Sequence, residues 1–231
     1  MPDSRSEPAT HKRAHVPDLQ LTIESADVVH YSAVPLLSFK VRIVNSASTE
    51  IVHTIAMRAQ IQIEVTRRKY DAAEQAQLLD LFGEPDRWGQ TLRNLLWTHV
   101  SVVVPRFKGS VLAEIPVPCT FDFNIAATKY FYGLTSGDLP LCFQFSGNVF
   151  YQDEHGALQV APISWDKEAK YRLPVKVWKD LMDIYYPQSA WLALRKDTFA
   201  KLYQFKVREG IPTWEEAIER ALNALPEEVR S

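Results

Sequence analysis

Cysteine is nearly missing. The chain carries only Cys119 and Cys142 among its 231 residues, which excludes a disulfide scaffold, and with no CxxC pair or Cys–His spacing it excludes the usual zinc and iron–sulfur frameworks. Glycine is scarce too, at eight residues. No fibrous or linker composition is present, and neither GxGxxG nor a phosphate-cradling P-loop occurs. Basic residues are not in excess. The formal charge is −2, which argues against a general nucleic-acid binder. No apolar run approaches the roughly 18 residues that a membrane span needs, and residues 1–17 lack the apolar core of a secretory signal. The expectation is a cytoplasmic protein with two free thiols, without direct membrane insertion and without a cofactor.

What the chain does have is alternation. Residues 1–17 are polar and hold three prolines, which predicts a disordered tail. Within it His11 and His15 are four apart, but no third metal ligand is near. Beyond the tail, Leu37, Phe39, Val41 and Ile43 share one parity, with Ser38, Lys40 and Arg42 between them. The clearest run is "IVHTIAMRAQIQIEV", where Ile51, His53, Ile55, Met57, Ala59, Ile61, Ile63 and Val65 all fall on odd positions. A strand gathers such residues on one face, whereas a helix scatters them. The run is too long for one flat strand, so a bulge is expected near Thr54–Met57. The polar "NSASTE" before it reads as the loop of a hairpin.

Over residues 70–83 the period changes. Asp71 suits an N-cap with Glu74 as its capping-box partner, and Gly83 and Pro85 end the helix after about three turns. Strands then resume in "WTHVSVVV", "FKGSVLAEI", "CTFDFNI" and "LCFQFSGNVFY", with Pro105, Pro116, Pro118, Pro140 and Pro162 at their ends. "LQVAPI" closes the sheet. From Pro174 onward the pattern is helical, with Thr213 capping a last helix that buries Ala217, Ile218, Ala221, Leu222 and Leu225. Seven or eight strands followed by about three helices indicate an α+β protein. The predicted organisation is a disordered tail over 1–17 and an immunoglobulin-like antiparallel β-sandwich over 18–165, with a helical insertion near 70–83. C-terminal helices over 166–231 pack on the sandwich.

Candidate chemistry is thin. "LFGEPDRWGQTL" places Glu84 and Asp86 around Pro85, followed by Arg87 and Trp88. Paired carboxylates can serve as acid and base, but only if an apolar pocket raises one pKa. In a proline turn they read as a structural corner, with partner contact as the functional alternative, because Trp and Arg anchor interfaces. His53 and His99 sit on the parity of the core and read as hydrogen-bonded core histidines; a metal site would need them to meet Cys119 across three strands. Tyr186 and Trp191 lie in an aromatic helical segment suited to packing or to a protein interface. "SWDKEAKYRLPVKVW" reads as an ion-paired junction between sandwich and helices. No catalytic, cofactor-binding or metal-binding residue is assigned. The partner-binding candidates are Glu84, Asp86, Arg87, Trp88, Tyr186 and Trp191.

Taken together, "VPLLSFKVRI", "MRAQIQIE", "LFGEPDRWGQTL", "THVSVVVPRFKGS", "VPCTFDF", "KYFYGL", "LPLCFQFSGNVFY" and "WDKEAKYRLPVKVW" resemble an uncharacterised bacterial family, a domain of unknown function. The similarity runs from about Leu19 to Leu225. Genes of that family lie beside those for actinobacterial-type, high-affinity nickel–iron hydrogenases. The resemblance implies a neighbourhood and no catalytic residues. It makes a hydrogenase subunit or maturation factor the expected partner of a non-enzymatic accessory or assembly protein. The alternatives are a small-ligand binder or enzyme with a pocket between sandwich and helices, marked by His99 and Asp122, and a structural subunit that self-associates.

Overall fold

The computed structural model of the chain describes residues 16–46, 51–120, 125–153, 155–189 and 192–224. His11, His15, Phe121, Asp122, Phe123, Trp191 and Leu225 lie outside them. The strands are β1 (Leu19–Val28), β2 (Leu36–Asn45), β3 (Ile51–Ile63), β4 (Leu95–Val104), β5 (Phe107–Lys108), β6 (Ser110–Pro118), β7 (Asp138–Gln152), β8 (Leu158–Pro162) and β9 (Glu168–Pro174). The helices are α1 (Ala72–Gln77), α2 (Leu79–Phe82), α3 (Trp88–Thr91), α4 (Ile125–Gly133), α5 (Val175–Tyr185), α6 (Lys196–Arg208) and α7 (Trp214–Asn223). The protein is α+β, and all described strand pairs are antiparallel.

One sheet runs β1-β2-β6. The other runs β4-β3-β7-β8, with β5 added to β3 and β9 to β7. The alternating residues of β2 and β3 do face inward: Leu37, Phe39, Val41, Ile43, Ile55, Met57, Ala59, Ile61 and Ile63 are buried. Phe39 of the first sheet meets Phe143 of the second edge-on at 5.0 Å and Trp97 at 6.2 Å. The apolar faces of the two sheets therefore share one core. At roughly 1.5–3 kcal/mol for each fully buried large apolar side chain, this core is the main source of stability.

The expected hairpin between β2 and β3 does not form. β2 pairs with β1 and β6, while β3 pairs with β4, β5 and β7. The chain crosses from one sheet to the other at this point, and alternation cannot reveal it, because both strands turn the same parity toward the core either way.

Two bulges decide where the histidines go. The β3–β7 register slips between Val52 and Thr54; Val52 is buried and His53 only half-buried. The β3–β4 register slips opposite Trp97, between Ile61 and Gln62. Trp97 and Thr98 are both buried, and His99 is turned outward to Gln60, its Nε2 lying 2.9 Å from Oε1. An extra residue on one strand inverts the parity of every residue beyond it. The inward assignment of both histidines is corrected for this reason.

Four further expectations change. The helix over 70–83 breaks at Leu78 into α1 and α2. "EAKYRLP" forms strand β9, with Ala169 and Leu173 buried against β7; the expected ion pairing is present, Lys170 reaching Glu64 at 2.8 Å and Lys167 reaching Asp18 at 2.7 Å. "CTFDFNI" is not a strand in its described residues: Cys119 follows the end of β6, and Ile125 opens α4. Pro116 falls inside β6 rather than at its end; β6 is an edge strand, where a missing N–H is tolerated. Gly147 in β7 has φ +131°, and a Cβ there would lie 2.0 Å from the Ala56 carbonyl oxygen. Only glycine lets β3 and β7 approach at this point.

The chain forms two compact units, divided after Gln188. The first holds both sheets with α1 to α5. In it Trp178 of α5 stacks on Phe131 of α4 at 4.8 Å, and the Tyr185 hydroxyl donates to the Ser32 carbonyl at 2.8 Å. The second unit holds α6 and α7.

Candidate functional site

A buried polar cluster lies where β3 hands over to the helical excursion. A short 3-10 turn at Val65–Arg67 is followed by extended Arg68, and Asp71 caps α1 by accepting from the Glu74 N–H at 2.8 Å. The capping half of the expectation is met, but the Glu74 side chain does not return to Asp71. It turns inward, 2% exposed, and takes a bidentate grip from Arg68 at 2.6 and 2.8 Å. The Thr135 N–H donates to the same carboxylate at 2.8 Å. Burial works against ionisation of Glu74, yet the Arg68 and Thr135 hydrogen bonds outweigh it and hold its pKa down at about 2. Arg68 also donates from Nε to the Asp138 carbonyl at 3.2 Å. The helical excursion is thereby clamped to the start of β7.

Beside this clamp the Tyr70 hydroxyl lies 2.7 Å from both the Val65 carbonyl and the Tyr130 hydroxyl. Tyr70 has one proton and gives it to the carbonyl, so Tyr130 donates to Tyr70. Burial, reinforced for Tyr130 by Tyr70, pushes both phenols up. Neither phenol is poised as a base near neutral pH, and Arg68 and Glu74 satisfy each other. The cluster is a structural clamp. It borders an open cleft of about 680 Å³ that is also lined by Arg67, Lys69, Asp138 and Arg172.

The 81–92 corner packs onto the same region. Trp88 is buried; its indole N–H donates to the Gly83 carbonyl at 2.8 Å, and its ring meets Tyr70 at 5.2 Å and Phe82 at 6.0 Å. Glu84, Asp86 and Arg87 face solvent, and neither carboxylate has the apolar pocket that an acid catalyst requires. Tyr186 is half-buried against the core cluster. Trp88 and Tyr186 therefore belong to packing, while the three charged residues remain on the surface. The structure does not bring His53, His99 and Cys119 together, and no group of three or more potential metal ligands occurs among the described residues. Both thiols are free and buried; burial pushes Cys119 up to about 12 and also raises Cys142.

What the sequence reading missed is the surface of the second unit. Trp214 of α7 packs on Phe199 of α6 at 5.2 Å and on Tyr203 at 6.2 Å, with the Lys206 ammonium 5.6 Å from the indole centre. Thr213 caps α7 as expected, accepting from the Glu216 N–H at 3.2 Å. Yet Phe199, Tyr203, Val207, Ile218 and Leu222 are exposed, Val207 by 60% and Leu222 by 55%. Among the described residues from 192 to 224, only Ile211 and Ala217 are buried. The expected burial of Ile218, Ala221 and Leu222 is corrected: all three are exposed and Ala217 alone of the described members of that set is buried, because periodicity marks an apolar face without saying what covers it.

A model for a family of unknown function, DUF6084, matches residues 16–230. The chain belongs to this family. No curated protein matches the sequence. Among solved structures, the CARDB domain of a Pyrococcus furiosus protein, in complex with di-metal ions, is 13% identical with TM-score 0.27 over 68% of this chain and 92% of that one. A late embryogenesis abundant protein is 16% identical with TM-score 0.31 over 69% and 73%. The ApaA protein of Bordetella pertussis is 13% identical with TM-score 0.23 over 68% and 93%. Superpositions this loose carry no argument about ligand or activity. No described helix is long and apolar enough to cross a membrane.

Proposed function

We propose that this DUF6084 member is a non-enzymatic, cytoplasmic protein-binding factor of the accessory or assembly kind, and that α6 and α7 are its contact element. One observation carries the reading: a helix pair that leaves Phe199, Tyr203, Val207, Ile218 and Leu222 in water while burying only Ile211 and Ala217 among its described residues. Exposed apolar stripes of this kind fit interaction sites. The β body would serve as a rigid mount, read as an immunoglobulin-like sandwich. The exposed charges Glu84, Asp86 and Arg87 are candidates for a second contact. The family resemblance supplies the partner expectation, an immature hydrogenase subunit or a maturation factor.

Affinity-tagged protein purified from a native host grown under hydrogenase-inducing conditions tests this. Hydrogenase or maturation proteins should co-purify with the natural chain and not with the Val207→Glu, Leu222→Glu double variant. Equal yields from the two would refute the assignment of the contact element.

The open cleft favours a second reading, an anion binder. Arg67, Lys69 and Arg172 line it and stand outside the Arg68–Glu74 pair. Titration calorimetry with small carboxylates and phosphates tests it, and absence of heat at millimolar ligand removes it.

A further inference from the structure

We infer that the α6–α7 face takes a second copy of this chain, the two helix pairs closing into a four-helix bundle about a two-fold axis. This rests on the reading of α6 and α7 as the contact element and adds its occupant; the hydrogenase or maturation partner is then held by the closed dimer, and its capture depends on Val207 and Leu222 through dimerisation.

The first support is the shortage of core. Two short helices cannot bury enough apolar surface to hold themselves together, and the exposed residues form stripes. Phe199, Tyr203 and Val207 recur every four residues along α6, and Ile218 and Leu222 do so along α7. Such i, i+4 rows are the ridges that pack between neighbouring helices. α6 has 13 residues and α7 has 10, so at about 1.5 Å per residue their lengths match closely enough for one pair to cover another.

The second support is charge. At about 100° per residue, Lys196 and Lys206 lie on the side of α6 that carries Phe199, Tyr203 and Val207, whereas Glu215 and Glu219 flank Ile218 and Leu222 on α7. With the two-fold axis along the bundle, each α6 lies between its own α7 and the α7 of the other copy. Every basic helix then borders two acidic ones, and no helices of like charge adjoin. A foreign partner would need both signs on the correct flanks; a second copy supplies them by symmetry.

Light scattering on the full chain, followed over concentration at physiological salt, tests the inference. The expected mass rises to twice 26.4 kDa. Val207→Glu with Leu222→Glu should raise the dimer dissociation constant on the order of 100-fold, with circular dichroism unchanged because both sites are exposed. Lys196→Glu should weaken the dimer about threefold, and adding Glu215→Lys should restore it. A monomer at every concentration, or a dimer indifferent to all these changes, overturns the inference. If the monomer still captures a partner in a manner that depends on Val207 and Leu222, only the occupant is wrong. If it captures nothing, the contact-element reading falls as well.

Discussion

Replacing Glu74 by glutamine removes one charge and keeps the shape. The carboxylate is 2% exposed, held by Arg68 at 2.6 and 2.8 Å and by the Thr135 N–H at 2.8 Å. Its pKa falls from an ordinary 4.5 to about 2 on folding. At 1.36 kcal/mol per pKa unit, that fall corresponds to about 3 kcal/mol of stability. Breaking a buried ion pair on one side costs a similar amount, about 3–5 kcal/mol, because the Arg68 guanidinium is left without its counter-charge. The Glu74→Gln variant should therefore melt about 6–12 °C below the natural protein at pH 7, taking about 2–4 °C per kcal/mol for a protein of this size. The pH dependence has a fixed sign. The folded carboxyl has the lower pKa, so its contribution is complete above about pH 4.5 and fades as the pH falls toward 2. The gap between natural and variant midpoints should close over that window, even as both lose stability to other carboxylates. Thermal unfolding followed by tryptophan fluorescence reads it, since Trp88 sits beside the clamp. A gap under 1 °C at pH 7, or one that persists undiminished to pH 2, would refute the reasoning.

Gly147→Ala should cost about 3 kcal/mol or more in denaturant unfolding, because the new methyl would lie 2.0 Å from the Ala56 carbonyl oxygen at φ +131°; a loss under 0.5 kcal/mol would show that β3 and β7 separate easily. Cys119 and Cys142 should both resist a disulfide thiol reagent at pH 8 and react together only on unfolding, as expected for buried thiols whose pKa burial raises. Rapid labelling of either one in the native protein would contradict its placement.

Much of the β body was legible because a two-residue period leaves little choice. Leu37 to Ile43 and Ile55 to Ile63 had to put one parity inward, and they do. The caps at Asp71 and Thr213 were legible for a similar reason, since a short polar side chain and a backbone N–H three residues on are enough to make them. The candidate site was far less legible. The corner around Trp88 reads as structural, with partner contact as the alternative, and Trp88 is buried; its neighbours Tyr70 and Phe82 come from other parts of the helical excursion, so spacing could not name them. The Arg68–Glu74–Thr135 clamp joins segments more than 60 residues apart in sequence, and no local spacing marks it.

The sequence alone determined which residues are apolar, with what period, and where helices can start; these follow from local geometry, since side-chain direction repeats along a strand or helix. Tertiary structure decided the rest. It placed β2 and β3 in different sheets, left His53 half-buried and turned His99 outward at one-residue bulges, and left Val207 and Leu222 exposed. Each outcome depends on which distant segment lies alongside, and periodicity within one segment cannot encode that.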